Sequence, residues 1–225
     1  MSLKAVGVRV SGRSTKMRKN YRSTHEILSW STALLVGRPF EQLADDARNE
    51  TLLGYRSALH GTGPEVFGGS SESAELDALV TRVRAWLDSG IEPGDIGIGS
   101  RFNKSCDKAV ERLTAAGIRA ARLRGDAVSD PAAVQVGTMH AFKGLEFRCV
   151  AVVGVSGGAL PYPKAVTSAD VDRLQHEADL LAERCLLFVA CTRARDSLYV
   201  SWWGEPSHFL VETGAVSHHD VPHRS

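Results

Sequence analysis

Within ten residues, Thr138 to Phe147, the chain carries Thr138, His140, Lys143, Gly144 and Glu146. Hydroxyl, imidazole, ammonium and carboxylate groups set this close together suit phosphate, sugar or nucleic-acid backbone. The plainer reading is that Lys143-Gly144 caps one helical turn and Glu146 is solvated, and composition alone does not separate the two. The flanking runs, Val134 to Gly137 and Arg148 to Val153, are short, Val-rich and hardly alternate. Such runs predict strands of a parallel sheet covered on both faces, where ligands collect at carboxyl ends. All five polar residues are expected at such an end.

The elements that must position them follow from periodicity. Leu76, Leu79, Val80, Val83 and Leu87 repeat at helical spacing from Glu72 until Ser89-Gly90. A strand (Asp95 to Ser100), a helix (Asn103 to Ala116) and a strand (Arg119 to Leu123) come next, a rhythm that predicts a parallel α/β sheet. Residues 40–72 are poorly periodic, with turn signals around a short apolar piece, Glu65 to Phe67, and read as connection. Val6 to Val10 alternates as a short strand. Ser23 or Thr24 is placed to cap a helix with Glu26 in its first turn. A long helix is expected from about Ser168-Ala169-Asp170, burying Val171, Leu174, Ala178, Leu181, Cys185, Leu186 and Val189. A short strand, Ser197 to Ser201, follows it.

Composition sets the outer bounds. The 225 residues, 43% hydrophobic and 24% charged, describe one soluble globular domain. Twenty-seven basic against 26 acidic residues leave a net charge of +1, so any nucleic-acid surface is local. Residues 1–25 hold seven Lys or Arg and no acid, which reads as a flexible or solvated basic arm, and Arg101 to Arg124 holds seven against two, compatible with a phosphate track or a solvated helix face. Cys106, Cys149, Cys185 and Cys191 lack C-x-x-C spacing and suit reduced thiols, three of them in apolar patterns. No zinc site is read, and His218, His219 and His223 make no metal site. No apolar run reaches the roughly 18 residues of a membrane span and no signal-peptide core is present, so a cytoplasmic protein without a membrane partner is expected.

The string TMHAFKGLEF resembles motif V of the superfamily 1 helicases related to UvrD, Rep and PcrA, T-x-H-x-x-K-G-L-E-F. RKNYRSTHEIL, Arg18 to Leu28, resembles motif IV, and ERCLLFVACTRA, from Glu183, resembles motif VI. Ala182, Cys185 and Phe188 replace commoner Glu, Arg and Tyr in the last of these. The three stand in family order across nearly the whole chain. The resemblance implies a RecA-like α/β fold, a parallel sheet flanked by helices, as a second motor domain over residues 1–215 with a tail at 216–225. It implies that Tyr21 stacks on adenine, that Arg22 forks to phosphate, that Gly144 and Glu146 serve nucleotide and ribose, and that Arg193 is an arginine finger oriented by Thr192 and Arg184. Arg101, Thr138, His140, Lys143 and Tyr162 are implied to face DNA, Tyr162 by stacking on a base.

The chain lacks even a Gly-Lys dipeptide, so no phosphate loop is present, and no Asp-Glu pair follows an apolar strand to hold magnesium. ATP, with Mg²⁺ held elsewhere, is therefore expected to be shared with a first motor domain upstream, and this chain alone to be inactive. Single-stranded DNA and that upstream domain are the implied partners, and 3′ to 5′ stepping is typical of the family. Only Asp126 to Ala133 separate the Gly125 position from motif V, so the helical accessory insertion of UvrD-type members is expected to be absent. Two alternatives stay open: a degenerate RecA-like module that binds nucleic acid or protein without turnover, and the motor part of a helicase-nuclease complex. Oligomeric state is not legible.

Overall fold

The computed structural model describes residues 19–20, 23–37, 56–57, 59–123, 130–214 and 216. The expected Val6 to Val10 strand, Tyr21, Arg22, Gly125 and the histidines of the tail lie outside the described residues. Val216, where the tail was expected to begin, is buried against the core.

Six strands form one parallel sheet: β3 (Glu65–Gly69), β4 (Ile96–Ser100), β5 (Ala120–Arg122), β6 (Val134–Thr138), β7 (Phe147–Val153) and β8 (Ala194–Trp203), in the spatial order β3-β8-β7-β4-β6-β5. A separate two-residue pair joins β1 (Lys19–Asn20) to β2 (Arg56–Ser57). The α/β class expected from the β-α-β rhythm is thus present. Among the described residues the α-helices are α1 (His25–Val36), α2 (Glu72–Asp88), α3 (Asn103–Ala115), α4 (Arg173–Cys191) and α5 (His208–Glu212). Side chains of β7 alternate between two core layers. Val150 and Val152 join Ile27, Leu34, Leu187, Ala190 and Phe209, under α1, α4 and α5. Cys149, Ala151 and Val153 join Leu79, Val83, Ala109 and Leu113, under α2 and α3.

Strand β4 reads IGIGS because its two faces have different tasks. Ile96 and Ile98 fill the α2/α3 layer, while Gly97 and Gly99 leave room on the other face. A Cβ at Gly97 would stand 2.5 Å from the Phe147 ring and one at Gly99 3.3 Å from that of Phe142. The chain uses this room to travel from β6 to β7 across β4, through a 3-10 turn at Met139–Phe142. Met139 and Phe142 are fully buried beneath α4, and each such side chain is worth about 1.5–3 kcal/mol in removed apolar surface.

Two expectations change. Glu65–Gly69, read as connection, is an edge strand pairing with β8 from Glu65↔Tyr199 to Gly69↔Trp203; its two glycines weakened the strand signal. The long helix starts at Arg173 rather than near Ser168, capped by the Asp172 carboxylate accepting from Gln175 N at 3.0 Å. Its buried face is also rotated from the expected one. Glu183, Leu187, Ala190 and Cys191 point inward, whereas Val171 and Leu174 are each 80% exposed and Leu181 is 52% exposed. Ala178 and Cys185 are exposed too, while Leu186 and Val189 are half-buried. A glutamate in the inward register hid the true phase, and its partner is described below. Among the described residues no helix is long and apolar enough to cross a membrane.

Candidate functional site

Parallel pairing gives the sheet two chemically distinct edges. Ser100 stands level with Thr138 and Val153 at the carboxyl edge. Phe147 stands level with Ala194 at the amino edge. Motif V therefore runs from one edge to the other. Thr138 closes β6 at the carboxyl edge, but Gly144 and Glu146 precede β7 at the amino edge, so the expectation that all five polar residues share a carboxyl end is corrected. The reason is topological: a strand parallel to its neighbours must be entered from the side opposite to the one its predecessor left.

At the amino edge, α4 ends without a glycine and its last carbonyls are capped by side chains. Thr192 Oγ1 donates to Phe188 O at 2.9 Å and Val189 O at 3.1 Å, and Arg193 Nε donates to Val189 O at 3.1 Å. A cation here also meets the negative end of the helix dipole. Arg193 Nη1 donates to Leu145 O at 3.4 Å, and Phe147 N donates to Arg193 O at 3.0 Å. The half-buried guanidinium is thereby pinned beside the Gly144–Glu146 turn. Gly144 has φ +89°, a left-handed conformation that would strain any side chain. Lys143 and Glu146 flank it, both exposed.

The motif IV segment arrives at the same place. The fully buried Ser23 hydroxyl donates to Thr192 O at 3.3 Å, and Thr24 N donates to Arg195 O at 3.2 Å. Thr24 caps α1, as expected, by accepting from Ile27 N. Arg184 does not orient Arg193, contrary to expectation. It donates to Leu34 O at 3.1 Å, pairs with Glu212 and lies 4.2 Å from the Phe209 ring centre, so it ties α4 to α1 and α5.

The carboxyl edge holds the second cluster. Arg101, just past β4, forms a two-pronged pair with Glu183, Nε to Oε2 at 3.1 Å and Nη2 to Oε1 at 3.0 Å. These side chains are only 14% and 7% exposed, so the Arg101 charge is matched inside the fold. Tyr162 N also donates to Glu183 Oε2, at 3.0 Å. The Tyr162 ring packs edge-on to Phe102 at 5.0 Å, with the Arg101 guanidinium 5.4 Å from its centre. His140 lies within the field of both charges. Desolvation, then the Arg101 cation, hold its imidazole below the ordinary value, while Glu183 opposes them. The structure thus brings Arg101, Tyr162 and His140 to one edge and Arg193, Gly144 and Glu146 to the other.

Glu183 and Ser23 are the groups that sequence reasoning did not single out as site residues. A carboxylate at an inward helix position is the one signal that pointed to Glu183, and only with a cation to match it. Among the described residues, no group of three or more His, Cys, Asp or Glu is placed to hold a metal ion.

Comparison with known proteins follows the same lines. Residues 120–205 match the UvrD-like helicase C-terminal domain family. The ATP-dependent DNA helicase Rep of Escherichia coli K12 is 28% identical over 181 residues, covering 74% of this chain and 25% of Rep. The ATP-dependent DNA helicase UvrD1 of Mycobacterium tuberculosis H37Rv is 40% identical over 86 residues, covering 33% of this chain and 10% of that protein. The chain thus spans a quarter or less of the length of these relatives. In fold, the crystal structure of the C-terminal domain of a possible DNA helicase from Lactobacillus plantarum WCFS1 superposes with a TM-score of 0.60 at 20% identity, over 89% of this chain and 96% of that one. Over residues 120–205 this chain is thus similar to the C-terminal domains of UvrD-like helicases, and it resembles Rep at 28% identity over a longer stretch.

Proposed function

We propose that the chain is the second motor domain of an ATP-dependent DNA translocase, joined in the working protein to a first motor domain that supplies the phosphate loop and the Mg²⁺ ligands. The carrying observation is the meeting of three distant segments at the amino edge: Ser23 on Thr192 O, Arg193 on Leu145 O, and Phe147 N on Arg193 O. Such a cluster suits half of a nucleotide site. Arg193 serves as the arginine finger toward the terminal phosphate, with Glu146 on the ribose. Tyr21 and Arg22, outside the described residues, take adenine and phosphate. At the opposite edge Thr138, His140 and Tyr162 face single-stranded DNA, which runs past in the direction typical of the family, while Lys143, beside the Gly144–Glu146 turn, couples that DNA to the nucleotide. Binding of ATP closes the two motor domains and shifts the protein along the strand.

The test is ATP hydrolysis by the polypeptide that joins this chain to the first motor domain, with and without single-stranded DNA, beside its Arg193→Ala form. DNA-stimulated turnover that falls by about a thousandfold in the variant is the expected result. A wild-type protein without DNA-stimulated hydrolysis refutes the proposal in favour of a binding module without turnover.

A further inference from the structure

The cluster at the carboxyl edge has an unusual economy: three N–H donors converge on one buried carboxylate. Glu183 Oε1 receives Arg101 Nη2, and Oε2 receives both Arg101 Nε and the Tyr162 backbone N–H. Stability alone does not account for it, because a buried ion pair replaced by well-packed apolar groups is often neutral or stabilising. Geometry is what the pair provides. A two-pronged guanidinium-carboxylate contact fixes both planes, and the same guanidinium lies 5.6 Å from the Phe102 ring centre and 5.4 Å from that of Tyr162. Tyr162 is thus held by its main chain and across its ring, while the ring stays only half-buried.

Glu183 is also a residue of α4, whose far end delivers Arg193. Ten positions separate the two, about 15 Å of helix at 1.5 Å per residue. Each end is anchored, Glu183 to the end of β4 and the Tyr162 loop, Arg193 to Val189 O and Leu145 O. A shift of α4 toward or away from nucleotide at the amino edge therefore moves the anchor of Tyr162 at the carboxyl edge.

We infer that the Arg101–Glu183 pair is a positioning clamp that sets Tyr162 for base stacking and transmits, through α4, between the single-stranded DNA and nucleotide edges. Arg101 then acts through Tyr162 rather than by presenting its charge to a phosphate. The inference rests on the two-domain motor proposed above and names the residues that couple its two sites.

The experiment uses the joined polypeptide and a thymidine oligonucleotide, and reads the ratio of DNA-stimulated to DNA-free ATP hydrolysis. That ratio is insensitive to the fraction of folded protein. Glu183→Gln removes the charge at constant shape, Arg101→Lys keeps the charge but loses the fork and the ring contact, and Tyr162→Ala removes the ring while leaving the clamp. Each single variant is expected to lower the ratio by about tenfold, the scale of one lost base-stacking contact. Glu183→Gln combined with Tyr162→Ala should fall no further than the lower single variant, because both act through one ring. Should Glu183→Gln fail to fold, Arg101→Lys combined with Tyr162→Ala carries the same comparison. Losses that multiply in the double variant, or a wild-type ratio in Arg101→Lys, overturn the clamp while leaving the motor intact. A wild-type protein that DNA does not stimulate overturns the motor reading and the clamp together.

Discussion

Glu75, in the first turn of α2, is 2% exposed and accepts from Gly154 N and Ser201 Oγ, each at 2.7 Å. It thereby ties α2 to the carboxyl edge of β7, where the loop toward Tyr162 begins. Glu75→Ala strands two buried donors at about 1–3 kcal/mol each, so a loss of about 2–4 kcal/mol is expected after the relief of burying an acid. That is a large share of a domain's total stability of about 5–15 kcal/mol. Glu75→Gln has a different signature. Both hydrogen bonds fall on Oε1, so an amide oxygen can take them, and burial raises the Glu75 carboxyl above its ordinary 4.5. A group that holds its proton more tightly when folded stabilises fully below 4.5. That contribution is lost as pH rises through the raised folded value, with a slope of up to about 1.4 kcal/mol per pH unit. The amide does not titrate. Urea unfolding of wild type and Glu75→Gln at about pH 4.5 and about pH 8 should therefore show the stability difference moving in favour of glutamine at the higher pH. A pH-independent difference refutes the burial argument, and an Ala variant as stable as wild type refutes the hydrogen-bond argument.

Two further outcomes rest on packing. Gly97→Ala places a methyl group 2.5 Å from the Phe147 ring and should cost about 1–3 kcal/mol, read as a lowered melting temperature; an unchanged one shows that the crossover over β4 yields freely. Of the four thiols, Cys106, Cys149 and Cys191 are buried and Cys185 is exposed. Burial pushes the Cys106 thiol up to about 11 and the Cys149 thiol up to about 12. A disulfide reagent at neutral pH should therefore titrate one thiol quickly in the folded chain and all four after unfolding, the fast one disappearing in Cys185→Ser. More than one fast thiol contradicts the packing of the two core layers.

Local pattern by itself determined much of this protein. Helical spacing from Glu72, the Val-rich runs on either side of motif V and the β-α-β rhythm through residue 123 were enough to predict parallel α/β architecture, because burial on a helix or strand face imprints a short-range period. The motif strings likewise carry the resemblance that the family match over residues 120–205 supports. Tertiary structure decided what those residues do for one another. Motif V spans both edges of the sheet because parallel register forces a crossover, and β4 admits it through glycines whose purpose is invisible without Phe142 and Phe147. The short, glycine-containing Glu65–Gly69 becomes a strand only by pairing with β8, more than a hundred residues away in sequence. The phase of α4 is hidden from local pattern for the same kind of reason. Glu183 looks like a solvent position until Arg101, 82 residues earlier, neutralises it. A charge belongs inside a fold only with its partner, and distance along the chain does not reveal which partner the fold will bring.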